Sequence, residues 1–235
     1  MRVMSEVVKK RVYVSPARQA KADATRTRII GAATRLFLDA GYGPTSTAAI
    51  GRAARTSEAS VFSVFGSKAD LLVAVVTDHV TRDPDFPLRR HPRWRRLASK
   101  ADKAAALQAF ARVTRRAHER SWRLLAIAAA AAQDDPAVAV AVGRGAAGRH
   151  QDCDWFVRDV IGITDPEAAR ATDEVWTLIS VENYRHVVVE RGWPAARYEQ
   201  WLVAMLTASL SAHRQLPRPG NSAETHVDEP PVAAR

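Results

Sequence analysis

The chain has 235 residues, of which 47% are hydrophobic, and its formal net charge is +10. This length fits one small and one larger domain, and the hydrophobic share is sufficient for a buried core. The longest apolar run, Leu124 to Ala132, is too short for a membrane span, and no apolar stretch of a signal peptide follows the basic N-terminus. A single cysteine excludes an intramolecular disulfide framework. We therefore expect a cytoplasmic protein that does not enter a membrane.

The positive charge lies in the N-terminal part of the chain. Residues 1–100 hold 19 Lys and Arg against 8 Asp and Glu, whereas residues 101–235 hold 16 against 17. Because clustered cations that neutralise phosphates are the main source of protein affinity for DNA, this asymmetry favours a DNA partner over a basic surface that serves only solubility. Residues 1–22 combine several cations with Pro16 and little periodicity, which predicts a flexible basic arm.

Four helices are predicted in the next part of the chain. Their expected bounds are 23–40, 47–54, 58–64 and 68–81. The second and third are very short and are joined by a three-residue turn. Thr45 or Ser46 is placed to cap the second helix, Ser57 the third and Ser67 the fourth. Few folds need helices this short, and the commonest is the DNA-binding helix-turn-helix, so residues 23–66 are predicted to form such a domain.

Beyond residue 66 the pattern predicts only helices and connectors, so the fold class is all-α. Residues 67–97 are predicted to form a connecting helix and a basic loop, because three prolines and five arginines lie between 83 and 96. Residues 98–215 form the second domain. Its helices are expected at 99–119, 121–133, 136–161, 164–191 and 194–214, the fourth opened by a capping-box spacing from Thr164 to Glu167. Residues 216–235 hold four prolines and are predicted to be disordered.

Residues 25–72 carry a distinctive order of aliphatic, aromatic and capping residues. The landmarks are Arg28, Ile29, Ala33, Leu36, Phe37, Gly41, Tyr42, Thr45, Ile50, Ala54, Ser57, Phe65, Ser67, Lys68, Leu71 and Leu72. This order resembles the TetR family of bacterial transcriptional repressors, and residues 174–202 resemble the last helices of actinobacterial members. The resemblance implies an all-helical homodimer, with an N-terminal three-helix unit that binds DNA and a divergent C-terminal domain that dimerises and holds a small ligand.

The helix-turn-helix departs from the family pattern at four positions. Arg55 stands where the turn usually has glycine, and a left-handed arginine there would cost roughly 1–2 kcal/mol, which a phosphate contact could offset. Phe62 replaces the usual tyrosine of the recognition helix, and Val64 replaces a residue that is commonly polar. Gly51 stands in place of alanine and is expected to loosen the second helix.

Base readout in the major groove needs directed donors or acceptors. The third helix has no Arg or Lys, so the bidentate arginine–guanine contact is not possible there. We therefore expect modest base specificity, with affinity supplied by cations outside this helix. Lys68 begins a helix, where its ammonium and the backbone N–H groups could bind one phosphate together; a solvated lysine is the alternative. The candidate DNA-binding residues are Arg28, Thr47, Arg52, Arg55, Glu58, Ser60, Phe62, Ser63 and Lys68, aided by the basic arm unless that arm is an idle tail.

A pocket for a small, mostly apolar effector is expected among the middle helices. The candidate lining residues are Phe110, Trp122, Leu125, Trp155, Phe156, Trp176, Asn183 and Tyr184. Asn183 interrupts an apolar stripe, so its amide could orient a ligand by hydrogen bonding. The alternative is that these aromatic residues are core residues, since aromatics at helical spacing usually are.

The last helix carries a broad stripe suited to dimerisation. Its candidate interface residues are Tyr198, Trp201, Leu202, Met205, Ser209 and Ala212, with packing inside one chain as the alternative. A two-fold dimer would place two recognition helices about 34 Å apart, so the operator should be a near-palindrome. An effector would change that spacing by moving the helix 68–81.

No motif supports an enzyme, a metal site or a cofactor. The cluster His150, Asp152, Cys153 and Asp154 lies on consecutive positions that point in different directions, and no partner spacing supports a nucleophilic cysteine. The expected partners are double-stranded DNA, an unknown small-molecule effector and a second copy of the chain. We expect a ligand-responsive transcriptional regulator, a repressor; the alternative is a degenerate member that binds DNA with little sequence preference or acts only as a ligand- or protein-binding module.

Overall fold

The computed structural model describes residues 16–82, 88–99 and 102–215, and within them all regular structure is helical. The expected all-α fold is confirmed. The α-helices are α1 Pro16–Ala40, α2 Thr47–Ala53, α3 Glu58–Phe65, α4 Lys68–Thr81, α5 Pro92–Ser99, α6 Lys103–Asp134, α7 Pro136–Trp155, α8 Glu167–Leu178, α9 Val181–Tyr184 and α10 Ala195–Gln215. A 3-10 turn, Leu88–Arg90, precedes α5, and the π-helical segments Phe156–Ile161 and Arg185–Glu190 follow α7 and α9.

Serine caps determine where the short N-terminal helices begin. Ser46, Ser57 and Ser67 each accept a hydrogen bond from the backbone N–H three residues later, at 3.0–3.1 Å. These bonds satisfy N–H groups that the first turn of a helix leaves unpaired. Thr45 is buried instead, where its hydroxyl donates to the Gly41 carbonyl at 2.7 Å. The predicted helix starts are therefore confirmed, with Ser46 rather than Thr45 as the cap of α2.

Helix α1 begins seven residues earlier than expected. The prediction of a flexible arm over 1–22 is wrong for residues 16–22, which are helical from Pro16, while residues 1–15 lie outside the described part. Proline is favoured in the first turn, and the following residues are mostly good helix formers. Gln19 also donates to the Asp23 carboxylate at 3.0 Å, one turn later. The extension is exposed along most of its length, so it lacks the apolar stripe that would have shown it in the sequence.

The predicted basic loop contains a buried anchor. Residues 92–99 form α5, and the Trp94 side chain is fully buried. Its ring meets Phe110, Trp155 and Phe156 edge-on, with centroid distances of 6.2–6.4 Å. The prediction of a loop up to residue 97 is thus wrong for residues 88–97, because the apolar residues of α5 pack on the C-terminal core while Arg95 and Arg96 stay exposed.

Two predicted helices are one. Residues 99–119 and 121–133 were expected to be separate, but α6 runs for 32 residues, and Asp102 rather than Ser99 caps it by accepting from the Ala105 N–H at 2.9 Å. Nothing between Glu119 and Ser121 breaks a helix, so the ladder of backbone hydrogen bonds continues.

The opposite error occurs at 164–191, where one predicted helix is divided. Helix α8 begins at Glu167 without a side-chain cap, so the predicted capping box of Thr164 and Glu167 is wrong; Asp165 accepts from Arg158 at 3.0 Å. The chain breaks again at Ile179, and Ser180 caps α9 by accepting from the Asn183 N–H. Serine can bond nearby backbone groups outside a helix, so it favours such a break.

The two hydrophobic cores share helix α6. The N-terminal core of α1 to α4 also contains Leu124 and Ala128 of α6 and Val138 of α7, whereas the N-terminal half of α6 packs into the C-terminal core around Phe110 and Phe156. Helix α6 is therefore a continuous rod between the cores. Among the described residues no single helix is long and apolar enough to cross a membrane; by length and composition only the bent pair of α3 and α4, at 68°, could.

Candidate nucleic-acid interface and interdomain junction

Helix α3 has one buried side and one exposed side. Val61 and Phe65 are buried against the first two helices, while Phe62 is 46% exposed and Val64 is 37% exposed. Ser63 is exposed and Ser60 is half-buried beside them. Large apolar residues on an exposed face of a short helix suit contact with thymine methyl groups and sugar surfaces rather than with water.

Two of the predicted base-reading residues contact each other. The Thr47 hydroxyl of α2 donates to the Glu58 carboxylate of α3, and the Ser57 and Ser60 hydroxyls are 2.8 Å apart. These bonds join α2 to α3 and fix the first turn of α3. A base edge would have to compete with them, which leaves the Ser63 hydroxyl as the least constrained of the predicted polar readers.

Arg55 occupies a left-handed backbone position in the turn. Its φ is +53°, so the condition under which arginine at this position carries a strain cost is met. The close approach of α2 to the turn explains Gly51 as well, because a Cβ there would lie 3.1 Å from the Glu58 nitrogen and 3.2 Å from the Thr56 oxygen. The expectation that Gly51 only loosens α2 was incomplete, since the glycine also permits this backbone contact.

The variant Arg55→Gly should separate stability from DNA affinity. Glycine removes left-handed strain of roughly 1–2 kcal/mol but adds about 0.4–1 kcal/mol of unfolded-state entropy, so the free energy of unfolding should rise by about 0–1.6 kcal/mol. The loss of one exposed cation should make the negative slope of log K for DNA against log salt shallower by about 0.9. Urea unfolding and salt-dependent binding measure the two effects. A less stable variant would show that the Arg55 side chain stabilises the turn.

A basic groove lies between α1 and α3. Its volume is about 490 Å³, and its walls are Arg18, Lys21, Ala22, Thr25, Ala59, Ser60, Ser63 and Val64. The N-terminal turns of α1 thus place two exposed cations beside the exposed side of α3, which has none. Arg18 and Lys21 were seen in the sequence only as part of a flexible arm; the run of helix formers after Pro16 was the signal that could have placed them.

Two other predicted phosphate-binding cations have contacts within the protein. Arg28 donates from Nε to the Ala54 carbonyl at 3.3 Å, which ties α1 to the end of α2. Lys68 Nζ donates to the Gly43 carbonyl at 3.3 Å and lies 4.1 Å from the centroid of the Tyr42 ring. Burial is the main cause that lowers the pKa of Lys68, opposed by the charge of Asp135. Arg52 is exposed, and the DNA contacts of all three stay predictions.

The helix-turn-helix is tied to the second domain by polar contacts. The Tyr42 hydroxyl donates to Asp135 Oδ2 at 2.8 Å, and Asp135 Oδ1 caps α7 by accepting from the Ala137 N–H at 2.9 Å. Arg120 and Arg123 of α6 donate to carbonyls at the ends of α4 and α1. The pKa of Tyr42 is raised, mainly by burial and further by Asp135, so the hydroxyl keeps its proton. A shift of α6 or α7 would therefore act directly on α1 and α4.

Loss of the Tyr42–Asp135 bond should loosen this junction. In Tyr42→Phe the ring stays while the hydroxyl is removed, and we expect the melting temperature to fall by about 2 °C. Asp135→Asn keeps an acceptor for the hydroxyl and for the α7 cap and should cost less. Calorimetric scans of both single variants and the double variant give the melting temperatures, and from these the interaction between Tyr42 and Asp135. Strictly additive effects would show that the two side chains do not depend on each other.

The predicted effector-lining aromatics are mostly core residues. Phe110 and Phe156 are buried and stacked with centroids 4.0 Å apart, and Tyr184 packs edge-on to Tyr198 at 5.1 Å. These rings would have to move to line a pocket. Asn183 Nδ2 donates to the Thr177 and Leu178 carbonyls, at 2.8 and 3.3 Å, so it caps α8 instead of offering a free amide to a ligand. The partly buried predicted residues are Trp122, Leu125, Trp155 and Trp176.

A larger groove lies on the surface between α6 and α10. It has a volume of about 620 Å³, and its lining is Gln108, Arg112, Arg115, Glu119, Ala195, Ala196, Glu199, Gln200 and Val203. Glu199 accepts from Arg115 Nε at 2.7 Å and from Arg112 Nε at 3.4 Å. Its charged groups already pair with each other, and it contains none of the predicted effector residues.

The predicted dimer stripe on α10 divides into two sides. Tyr198 and Leu202 are fully buried in their own chain, so for these two the prediction of an interface is wrong, because they pack into the C-terminal core. Met205 and Ala212 are exposed. Trp201 and Ser209 are half-buried, and the Ser209 hydroxyl donates to the Glu174 carboxylate of α8. The exposed side of α10 is what a partner helix could cover.

The acidic and cysteine cluster on α7 has structural contacts. Asp152 accepts from Arg89, Asp154 from Arg158, and His150 pairs with Asp173. Cys153 is buried, which raises the pKa of its thiol to about 12 and makes it a poor nucleophile. The described part of the chain has no group of three or more His, Cys, Asp or Glu side chains that could hold a metal ion.

Comparison with known proteins agrees with this architecture. The model of the bacterial regulatory proteins of the tetR family matches residues 29–75. A transcriptional regulator from Rhodococcus sp. Rha1 shares the fold at 18% identity, covering 82% of this chain and 99% of its own, with a TM-score of 0.57.

A second solved structure, NalD, the secondary repressor of the MexAB-OprM multidrug efflux pump in Pseudomonas aeruginosa, shares 22% identity. The match covers 80% of this chain and 97% of that one, with a TM-score of 0.54. No curated protein matches the sequence. The resemblance seen over residues 25–72 is confirmed: residues 29–75 form a helix-turn-helix domain that matches the model of the bacterial regulatory proteins of the tetR family.

Proposed function

We propose that this regulator is a repressor that binds a near-palindromic operator as a homodimer and releases it when a small effector binds to the helices after residue 98. The observation that carries the proposal is the exposed side of α3, bordered by Arg18 and Lys21 of α1 in one groove. Such an arrangement lets α3 enter the major groove while α1 neutralises the adjacent phosphates. NalD, which has the same fold, is a repressor, and this supports the direction of regulation.

Affinity and sequence preference have different sources in this proposal. The cations on α1 and in the turn bind phosphates of any sequence, so they add affinity without discrimination. Discrimination depends on Ser63, on the two apolar residues Phe62 and Val64, and on Glu58 and Ser60 if they exchange their present partners for bases. We therefore expect an operator that is recognised with a small specificity ratio.

The exposed side of α10, around Met205 and Ala212, is the proposed dimer contact. A two-fold axis there would set the two α3 helices about 34 Å apart, one turn of DNA. The effector acts by changing that distance, since α6 reaches from the C-terminal core to the ends of α1 and α4. The shift can be no larger than the effector's difference in affinity for the two arrangements.

Genome-wide DNA pull-down with the full chain tests this function. Discrete peaks that share a near-palindrome are expected, and the double variant Ser60→Glu with Ser63→Glu, which sets two carboxylates against the DNA, should lose them. Diffuse coverage by the unaltered chain would favour the second candidate, a member that binds DNA with little sequence preference. The Thr47–Glu58 pairing and the absence of cations on α3 are the observations that motivate that second candidate.

A further inference from the structure

Arg149 of α7 has an unusual environment between α7 and α8. Its guanidinium carbon lies 4.9 Å from the centroid of the Trp176 ring of α8. The Nε of Arg149 and the indole Nε1 of Trp176 are both buried, and neither has a hydrogen-bond partner among the described residues. Two adjacent buried donors without an acceptor are costly, because desolvation of each N–H is not compensated. Such a pair calls for an acceptor from outside the chain.

Arg149 has no ion-pair partner among the described residues, although several carboxylates lie near it in the sequence or on the facing helix. Asp152 is one turn along α7 from Arg149, in the position where a helical ion pair could form, but it accepts from Arg89 at 2.7 Å. Asp154 accepts from Arg158 at 2.7 Å, and Asp173, on the facing helix, pairs with His150 at 2.9 Å. The neighbouring carboxylates each have their own cation, whereas Arg149 has none among the residues described.

The charge of Arg149 reaches a buried aromatic cluster around His118. His118 of α6 is buried beside Tyr184 and Tyr198, with ring centroids 5.4 and 6.2 Å away. Burial, and secondly the positive charge of Arg149, lower the pKa of His118 to about 3, so this imidazole is neutral at pH 7. His118 therefore adds no second positive charge to that of Arg149. A ligand with one negative group and an apolar body matches this combination.

We propose that Arg149 and Trp176 bind the carboxylate of a small organic acid that serves as the effector. The carboxylate oxygens accept from Arg149 Nε and Trp176 Nε1. The apolar body of the acid lies among the aromatic rings around His118, which move apart to admit it. Arginine is suited to this because its fork of donors matches a carboxylate and it stacks on an indole face. This assignment of the ligand class rests on the proposed effector site and narrows it to organic acids.

Titration calorimetry on the full chain, without DNA, tests the assignment. The probes are four acids of increasing size, namely acetate, benzoate, 4-phenylbutyrate and decanoate, each paired with its neutral amide. At least one acid should bind about 10- to 100-fold more tightly than its amide, since a hydrogen-bonded charge is lost in the amide. Equal affinity for acid and amide in every pair, or binding by no acid at all, would overturn the proposal.

Two variants sharpen the test. Arg149→Met should abolish the preference for the acid, and it should raise the melting temperature of the ligand-free protein because it removes a desolvated, unpaired charge. Arg144→Met, on an exposed position of the same helix, should change neither property. A lower melting temperature for Arg149→Met together with a retained acid preference would show that Arg149 is purely structural.

The outcome does not depend on DNA binding. If the pull-down finds no operator while the acid binds at Arg149, the regulator function fails and the acid site stands. If operators are found but no acid is preferred over its amide, the acid site fails alone. A carboxylate from a second copy of the chain is the other possible acceptor. In that case Arg149→Met would weaken self-association, measured by sedimentation velocity, and none of the acids would bind. This result would contradict the proposal.

Discussion

Replacement of Trp94 by alanine is expected to lower the free energy of unfolding by about 3–5 kcal/mol, the usual cost of truncating a buried Trp or Phe. Trp94 is fully buried at the centre of a cluster in which three other aromatic rings meet it edge-on. Alanine would leave a cavity lined by Phe110 and Phe156, which are stacked on each other and have little freedom to fill it.

Two controls show whether the effect comes from packing. Trp94→Phe keeps most of the volume and removes an indole N–H that has no partner among the described residues, so it should cost far less than alanine. Arg95→Ala, exposed on the same helix, should be close to neutral. Urea unfolding of the three variants measures the differences. A loss below about 1 kcal/mol for alanine would mean that α5 is not an integral part of the C-terminal core.

Helix starts could be predicted where a local interaction determines them. Ser46, Ser57 and Ser67 cap helices because a side-chain oxygen three residues before a free N–H needs only local geometry. Thr164 offered the same spacing, yet its capping box does not form, because α8 begins at Glu167 itself, which is then the first helical residue instead of the third. Asp165 pairs instead with Arg158 of the preceding segment, and no local pattern of residues 164–167 contains that partner.

Trp94 shows why a buried anchor can be missed. Its neighbours are arginines and prolines, so the average polarity of residues 83–96 is that of a loop. Only the C-terminal core explains the helix, since Trp94 needs the rings that lie far along the chain. The groove of Arg18 and Lys21 escaped prediction for the opposite reason, because that part of α1 is mostly exposed and has no apolar period.

For the candidate sites, the residue types were easier to predict than their partners. The glycine that is usual at position 55 raised the question of a left-handed backbone, and the structure answers it with a φ of +53° for Arg55. The pairing of Thr47 with Glu58 could not be foreseen, because both were placed on the exposed face as independent readers. Arg149 lies in a glycine-rich segment that is typical of a solvated helix, and its buried Nε without a partner and its position over Trp176 appear only in the folded structure.

The second large effect concerns DNA affinity. Simultaneous replacement of Arg18, Lys21 and Arg55 by glutamine should weaken binding to a random-sequence duplex by on the order of 10²–10³-fold at about 0.1 M salt. The slope of log K against log salt should fall by about 2.7, because each lost phosphate contact contributes about 0.9. A random duplex serves because these contacts carry no base information, so the measurement does not require the operator to be known.

A variant with the same total charge distinguishes local contacts from the general field of the protein. Arg95, Arg144 and Arg191 are exposed, and their joint replacement by glutamine also removes three positive charges, but away from the groove between α1 and α3. If Arg18, Lys21 and Arg55 contact phosphates, only the first variant should change the salt slope by nearly three. Equal losses of DNA affinity in the two variants would mean that the net charge of the protein alone attracts DNA. The exposed side of α3 would then lack neighbouring phosphate contacts that position it in the major groove.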